Sequence, residues 1–264
     1  MKTLNDIVNH KKHEVEMRKQ LYPIRLLETS IYFETKPVSL KKYLQRKDKS
    51  GIIAEFKKQS PSLGVINKYA DIEKTSIGYM QSGASALSVL TDSKFFGGSE
   101  NDLKIARKFN YCPILRKDFI VDEYQIIESK SLGADVVLLI ASVLTAEEIK
   151  CFALLAQQLG MEVILELHDL DEVKKLFHAT DIVGVNNRNL KTMEVNIHRS
   201  LQIAPELPVE MLKISESGIE KPESIVMLKN HGFKGFLIGS YFMRQSKPHE
   251  ACREFIHKLN KISE

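Results

Sequence analysis

Glu55 and Lys57, Lys117 with Asp118, Glu166, Asn186 and Arg188, and Glu216 with Ser217 each stand at or just beyond the C-terminal end of a short apolar run. Residues of these types brought together can move protons. A lysine can donate to an oxygen on which negative charge builds, and a carboxylate can take a proton away. Gly218 and the pair Gly239 and Ser240 can present backbone N–H groups to an anion such as a phosphate, with Lys57 adding positive charge. Phe96 and Phe119 also follow strand-like runs, where they can line a pocket for a planar substrate. Singly, each has a plainer role: a rim hydrogen bond, a surface pair, a turn glycine, a packing ring. Convergence on one rim favours an active site, because charges seldom gather at the mouth of an apolar core without a ligand.

The elements that would position them recur from residue 51 onward. Strand-like runs occupy 51–56, 85–90, 113–116, 134–140, 162–166, 181–185, 210–214 and 235–239. The segments between them are long enough for a helix and its loops. At 145–160, Thr145 and Glu148 predict a capping box, Ile149, Phe152, Ala153 and Ala156 share a face, and Gly160 predicts the stop. Asp169 with Glu172 predicts a second helix with Val173, Leu176 and Phe177 inward. A third is expected over 222–230, with Ile225 and Leu228 apolar. Eight strands alternating with helices predict a closed (β/α)8 TIM barrel, with catalytic groups at the C-terminal ends of the strands. A doubly wound open sheet is the alternative, but neither of the glycine-rich nucleotide motifs is present.

The 264 residues suit one such domain, with 1–50 as an N-terminal helical extension and 51–264 as the barrel. A net charge of +4, spread along the chain, argues against nucleic acid as a partner. Cys112, Cys151 and Cys252 are too scattered for a disulfide framework, and no apolar run approaches the ~20 residues of a membrane span. With no signal-peptide core in 1–19, a cytoplasmic protein without membrane attachment is expected. In the extension, Leu4, Ile7 and Val8 share a face ahead of a charged run over 11–19, predicting an amphipathic helix over one end of the core. Its basic side could instead approach an anionic substrate. His10 and His13 lack the further ligands that a metal site needs. Residues 40–50 read as a solvated helix end rather than an RNA patch.

The runs 54–62 (AEFKKQSPS), 90–99 (LTDSKFFGGS), 113–121 (PILRKDFIV) and 216–219 (ESGI) resemble indole-3-glycerol phosphate synthase. The blocks 184–190 (GVNNRNL) and 236–240 (FLIGS) are similar to later blocks of that family, so the resemblance spans roughly 50–245 in order. It implies a cofactor-free, metal-free ring closure of 1-(2-carboxyphenylamino)-1-deoxyribulose 5-phosphate, with loss of carbon dioxide and water, in tryptophan biosynthesis. It further implies Lys117 as general acid, Glu166 as base, and Glu55 as the carboxylate holding the substrate hydroxyls and the lysine. Lys57, Ser60, Pro61, Asn186, Arg188, Leu190, Glu216, Ser217 and Ile238 are implied as substrate contacts. Phe96, Phe119 and Leu138 would supply an apolar wall that favours decarboxylation. Lys57, Gly218, Gly239 and Ser240 would hold the phosphate. Asn189 departs from the acidic residue common at that place, which is expected to alter loop hydrogen bonding only. His168 stands next to the Glu166 rim and could touch it, but a solvent-facing loop histidine is the expected reading.

Among rival readings, phosphoribosylanthranilate isomerase would need a cysteine at the catalytic rim, and Cys112 stands at the start of its strand. An aldolase would use Lys117 in a Schiff base. A phosphate-ligand binder without turnover would not need Glu55, Lys117 and Glu166 together. A monomer and an association with other tryptophan-pathway enzymes are both compatible with the sequence.

Overall fold

The computed structural model describes residues 4–190 and 192–263. Eight parallel strands, β1 (Ile52–Phe56), β2 (Ala86–Leu90), β3 (Ile114–Lys117), β4 (Val136–Ile140), β5 (Glu162–Leu167), β6 (Ile182–Asn186), β7 (Leu212–Glu216) and β8 (Phe233–Ile238), close into a barrel in chain order. Closure is by β1, which pairs with β8 (Ile52 opposite Phe236) and with β2 (Ile53 opposite Ala86). Each expected strand is found, with its ends within two residues of the predicted ones.

Alternation along the strands sorts the core into two layers. Ile53, Leu115, Ile164, Ile182, Ile214 and Leu237 pack together inside the barrel. Ile52, Ala54, Val89, Val137, Val163, Val183 and Phe236 pack against the surrounding helices. The inward parity continues to the strand ends, where Glu55, Lys117, Glu166, Asn186 and Glu216 succeed Ile53, Leu115, Ile164, Ile182 and Ile214. One periodicity therefore builds the core and delivers the charges.

The helix Ala146–Gln158 carries the expected capping box of Thr145 and Glu148, and Ile149, Phe152, Ala153 and Ala156 are buried. Pro222–Asn230 buries Ile225 and Leu228 as expected. The segment after β5 differs. Asp169 and Glu172 do form a capping box, but it opens a 3-10 turn, Leu170–Lys175, rather than an α-helix. None of its residues is fully buried, but Val173, with Leu176 and Phe177 just beyond the turn, packs partly buried against the outer core, as expected.

Three helices precede the barrel: α1 (Leu4–Leu21), α2 (Ile24–Leu27) and α3 (Leu40–Leu44). α3 corrects the solvated-end reading of 40–50, because Leu40 and Leu44 are buried among the inward barrel residues and close its floor. Lys41 N donates to Glu162 Oε2 at the start of β5 (2.9 Å), fixing α3 there. Within 40–50, Lys42 and Gln45 to Asp48 are the exposed residues. α1 buries Ile7, Lys11 and Val15, a stripe at helical spacing that contains a lysine. Lys11 Nζ lies 3.1 Å from Asp92 and 3.0 Å from Asp118, so this part of the basic face binds barrel loops. Among the described residues, no helix is long and apolar enough to cross a membrane.

Candidate active site

A cavity of about 460 Å³ opens at the C-terminal end of the barrel. All the residues expected at the site line it: Glu55, Lys57, Ser60, Pro61, Phe96, Lys117, Phe119, Leu138, Glu166, Asn186, Arg188, Leu190, Glu216, Ser217, Gly218, Ile238, Gly239 and Ser240. Ile238 does so from the edge, since it also packs in the outer layer. Leu4 and Ile7 of α1 and Arg244 line the cavity as well. The apolar face of α1 predicts a helix over one end of the core, but no local pattern marks these three as site residues.

Lys117 is the hub. Its Nζ donates to Glu166 Oε2 at 2.5 Å and to Glu216 Oε2 at 2.8 Å. Burial pulls the ammonium's pKa down, but the charges of Glu166, Glu216 and Glu55 outweigh it and hold the group above the usual lysine range. Lys57, a possible source of like charge, bonds Glu55 Oε1 at 2.6 Å instead. The two carboxylates beside Lys117 part company. Burial and the negative charge of Glu166 push Glu216 up to about 8 against the pull of Lys117. Glu166 goes the other way: burial opposes its ionisation, but Lys117 and His168 prevail and hold it well below the usual range. Near neutrality the pair beside Lys117 thus favours one ionised and one protonated carboxyl, a separation of the kind that sorts bases from acids.

Close packing makes room for these groups. A Cβ on Gly184 would collide with Glu216 Oε1, and one on Gly239 with Glu55 Oε1. Glu216 Oε1 is buried without a hydrogen-bond partner among the described residues. After β7, Ser217 has φ +69° and Gly218 φ +75°. A left-handed serine is a strained conformation, of the kind that gathers at functional sites. Ser240 opens a short helix, Ser240–Met243, behind Gly239. Arg188 Nη1 donates to Met193 O (2.9 Å), and burial together with Arg244 lowers its pKa. Asn189 closes the same loop, its Oδ1 accepting from Thr192 N at 3.1 Å. Phe96 and Phe119 meet with ring centroids 5.8 Å apart.

His168 was expected to face solvent, and it does not. It is 3% exposed, with Nε2 3.2 Å from Glu166 Oε1. The missed signal was parity: two residues past Glu166, the side chain returns to the same side of the strand. Cys112, before β3, is at the opposite end of the barrel, and burial pushes its thiol up to about 12, so it is no acid–base partner at this rim. Among the described residues, no group of three His, Cys, Asp or Glu side chains is arranged to hold a metal ion, and His10 packs edge-on to Phe95.

Residues 4–255 match the family model described as indole-3-glycerol phosphate synthase. The indole-3-glycerol phosphate synthase of Bacteroides thetaiotaomicron is 44% identical over 97% of this chain and 98% of its own length. That of Caldanaerobacter subterraneus is 39% identical over 97% and 98%. A solved chain from the tryptophan synthase α2β2 complex of Pyrococcus furiosus, 16% identical with a TM-score of 0.59, covers 81% of this chain and 99% of its own, and shares the fold. The match runs through α1 and all eight strands, and the chain belongs to the indole-3-glycerol phosphate synthase family.

Proposed function

We propose that Lys117 is the general acid and Glu166 the general base of the family's ring closure, with Glu55 holding substrate hydroxyls and sharing in proton transfer. The activity is that of an indole-3-glycerol phosphate synthase in tryptophan biosynthesis, a carbon–carbon lyase acting on a small molecule. In it, 1-(2-carboxyphenylamino)-1-deoxyribulose 5-phosphate and one proton give indole-3-glycerol phosphate, carbon dioxide and water. The carboxyl-bearing ring carbon attacks the ribulose carbonyl, and Lys117 delivers its proton to the oxygen that becomes negative. Carbon dioxide then leaves beside the apolar wall of Phe96, Phe119 and Leu138. Glu166, the ionised carboxylate, takes a proton from the substrate and passes it to the departing hydroxyl, which leaves as water, while the one proton consumed overall restores Lys117. Gly218, Gly239 and Ser240, with Lys57, hold the phosphate and fix the remote end, which contributes orientation. Asn186, Arg188, Leu190 and Ser217 position the rest, with Ser60, Pro61, Glu216 and Ile238.

The observation that carries this reading is Lys117 held between two carboxylates whose proton affinities are driven apart. The test is growth of indole fluorescence on mixing protein with substrate, a signal unmasked by tryptophan because the chain has none. Lys117→Ala is expected to lose at least ~100-fold in rate while keeping the fold. Equal turnover by the variant would remove Lys117 from the acid role. Trapping of a covalent adduct by borohydride would replace that role with Schiff-base chemistry. We further read 1–264 as one domain, with 51–264 as the barrel, which the ion pairs from Lys11 and Arg18 to barrel side chains support. A cytoplasmic setting is in keeping with the three free thiols. A monomer, open to association with other tryptophan-pathway enzymes, completes the reading.

A further inference from the structure

Glu166 has two carboxylate oxygens, and Lys117 engages only Oε2. The other faces His168, whose Nε2 is 3.2 Å away. His168 is buried behind Glu166 and does not line the cavity, so it reaches the reaction only through that carboxylate. Its backbone is clamped on both sides. The N–H donates to Glu172 Oε2 at 2.6 Å, and the carbonyl accepts from Arg199 Nη1 at 2.5 Å. Arg199 is held in turn by Asp169 at 3.1 Å. On the far side of the ring, Glu172 Oε2 is 4.0 Å from Nδ1. Burying an imidazole between two carboxylates is costly unless it is cationic or shares their protons.

We propose that His168 is a positioning residue of the ring closure, holding Glu166 ionised and correctly aimed by its second oxygen while Lys117 serves the substrate. The physical need arises within the cycle. Once Lys117 gives its proton to the carbonyl oxygen, Glu166 loses the charge that keeps it ionised. A buried carboxylate without a counter-charge takes up a proton and ceases to be a base. His168 supplies a second positive charge from outside the cavity, where substrate cannot displace it. The groups facing its ring are Glu166 from β5, Glu172 from the 3-10 turn and Lys117 from β3. Burial opposes protonation of the ring, but Glu166 and Glu172 outweigh it and Lys117, and its pKa lies above the usual imidazole range.

This rests on Glu166 being the base, and the experiment separates the two claims. Rate–pH profiles are recorded for wild type, His168→Gln and Glu166→Gln, with a thermal melt of each to set the assay below every transition. Glutamine keeps a donor but loses the charge. Because the charge lowers the pKa of Glu166, its removal raises that pKa, and the acidic limb of kcat moves to higher pH. A shift of about one pH unit is expected, a tenfold loss on that limb, with KM changed less than about twofold. A lower kcat with an unmoved limb, or an effect confined to KM, would overturn the proposal. Full activity in Glu166→Gln would overturn the base assignment beneath it.

Discussion

Arg116 and Lys117 are neighbours on one strand, yet they belong to two buried charge clusters with opposite characters. Arg116 points away from the barrel axis. It donates to Glu128 Oε2 (2.7 Å), Ser129 Oγ (3.1 Å), Gln125 O (3.2 Å) and Thr91 Oγ1 (3.1 Å). Around it, Arg18 bonds Glu128 at 2.6 Å and Lys11 joins Asp92 and Asp118. Burial works against Asp118, but Lys11 and Arg116 overcome it and keep its pKa below the usual range. Lys117 points inward, to a cluster where one carboxyl is driven up to about 8 and one of its oxygens has no hydrogen-bond partner among the described residues. The first cluster sets each carboxylate against a cation, Asp92 Oδ2 through its ion pair with Lys11 and no hydrogen bond among the described residues, and ties α1 to the loops after β2 and β3. The second keeps unresolved charge where the substrate must come. Opposite charges that pair off give rigidity, and carboxyls that compete for one lysine give chemistry.

The sharpest way to break this contrast is at Lys11. Lys11→Met keeps the length of the side chain and removes its charge, leaving Asp92 and Asp118 buried without their lysine. Breaking a buried pair from one side costs about 3–5 kcal/mol, and urea unfolding should show a loss of that order. Asp92 also caps the turn that carries Phe96, and Asp118 precedes Phe119. KM should therefore rise more than kcat falls. A stable variant with unchanged KM would mean that the outer cluster neither ties down α1 nor sets the aromatic wall.

Glu216 tests the inner cluster. Its folded pKa of about 8 lies above the unfolded value of 4.5, so between those limits the folded chain holds a proton that the unfolded chain has released. Stability then falls as pH rises through that window. Glu216→Gln has no proton to lose. Its stability relative to wild type should increase from about pH 5 to about pH 8 and level off above that, as read by urea unfolding across the range. A difference that stays constant with pH would show that Glu216 is not the strained member, and the two clusters would then differ less than their geometry indicates.

The inner cluster was largely legible in the sequence because its members share the period of the strands that carry them. Glu55, Glu166 and Glu216 each fall two residues after an inward apolar residue, so the pattern that predicts the barrel predicts the rim. His168 obeys the same parity and was missed only because it lies beyond the strand end, where alternation is normally not extended. The outer cluster was hidden for another reason. Lys11 fits the buried stripe of Ile7 and Val15, but a lysine there makes sense only with Asp92 and Asp118, and such distant pairings leave no local period. Leu40 and Leu44 were hidden likewise, since a five-residue helix shows too little pattern to be placed at the barrel floor. The turn after β5 showed its cap correctly and its helix type wrongly, because a cap reports where a turn starts and packing decides how far it goes.

The smallest effect belongs to neither cluster and checks that they are separable from the wall around them. Thr145 Oγ1 accepts from Glu148 N at 3.2 Å, and Glu148 Oε2 accepts from Thr145 N at 2.7 Å, at the exposed start of Ala146–Gln158. Thr145→Ala removes one half of this box and should cost about 1 kcal/mol, lowering Tm by roughly 2–4 °C in a chain of this size. The helix buries Ile149, Phe152, Ala153 and Ala156 against the outer layer, so it remains formed. None of the residues that line the cavity belongs to it. The rate–pH profile of the variant should therefore overlay that of wild type. A displaced profile would mean that strain in the outer helices reaches the Lys117 hub, and the rim could no longer be treated as a site whose proton affinities are set by its own charges.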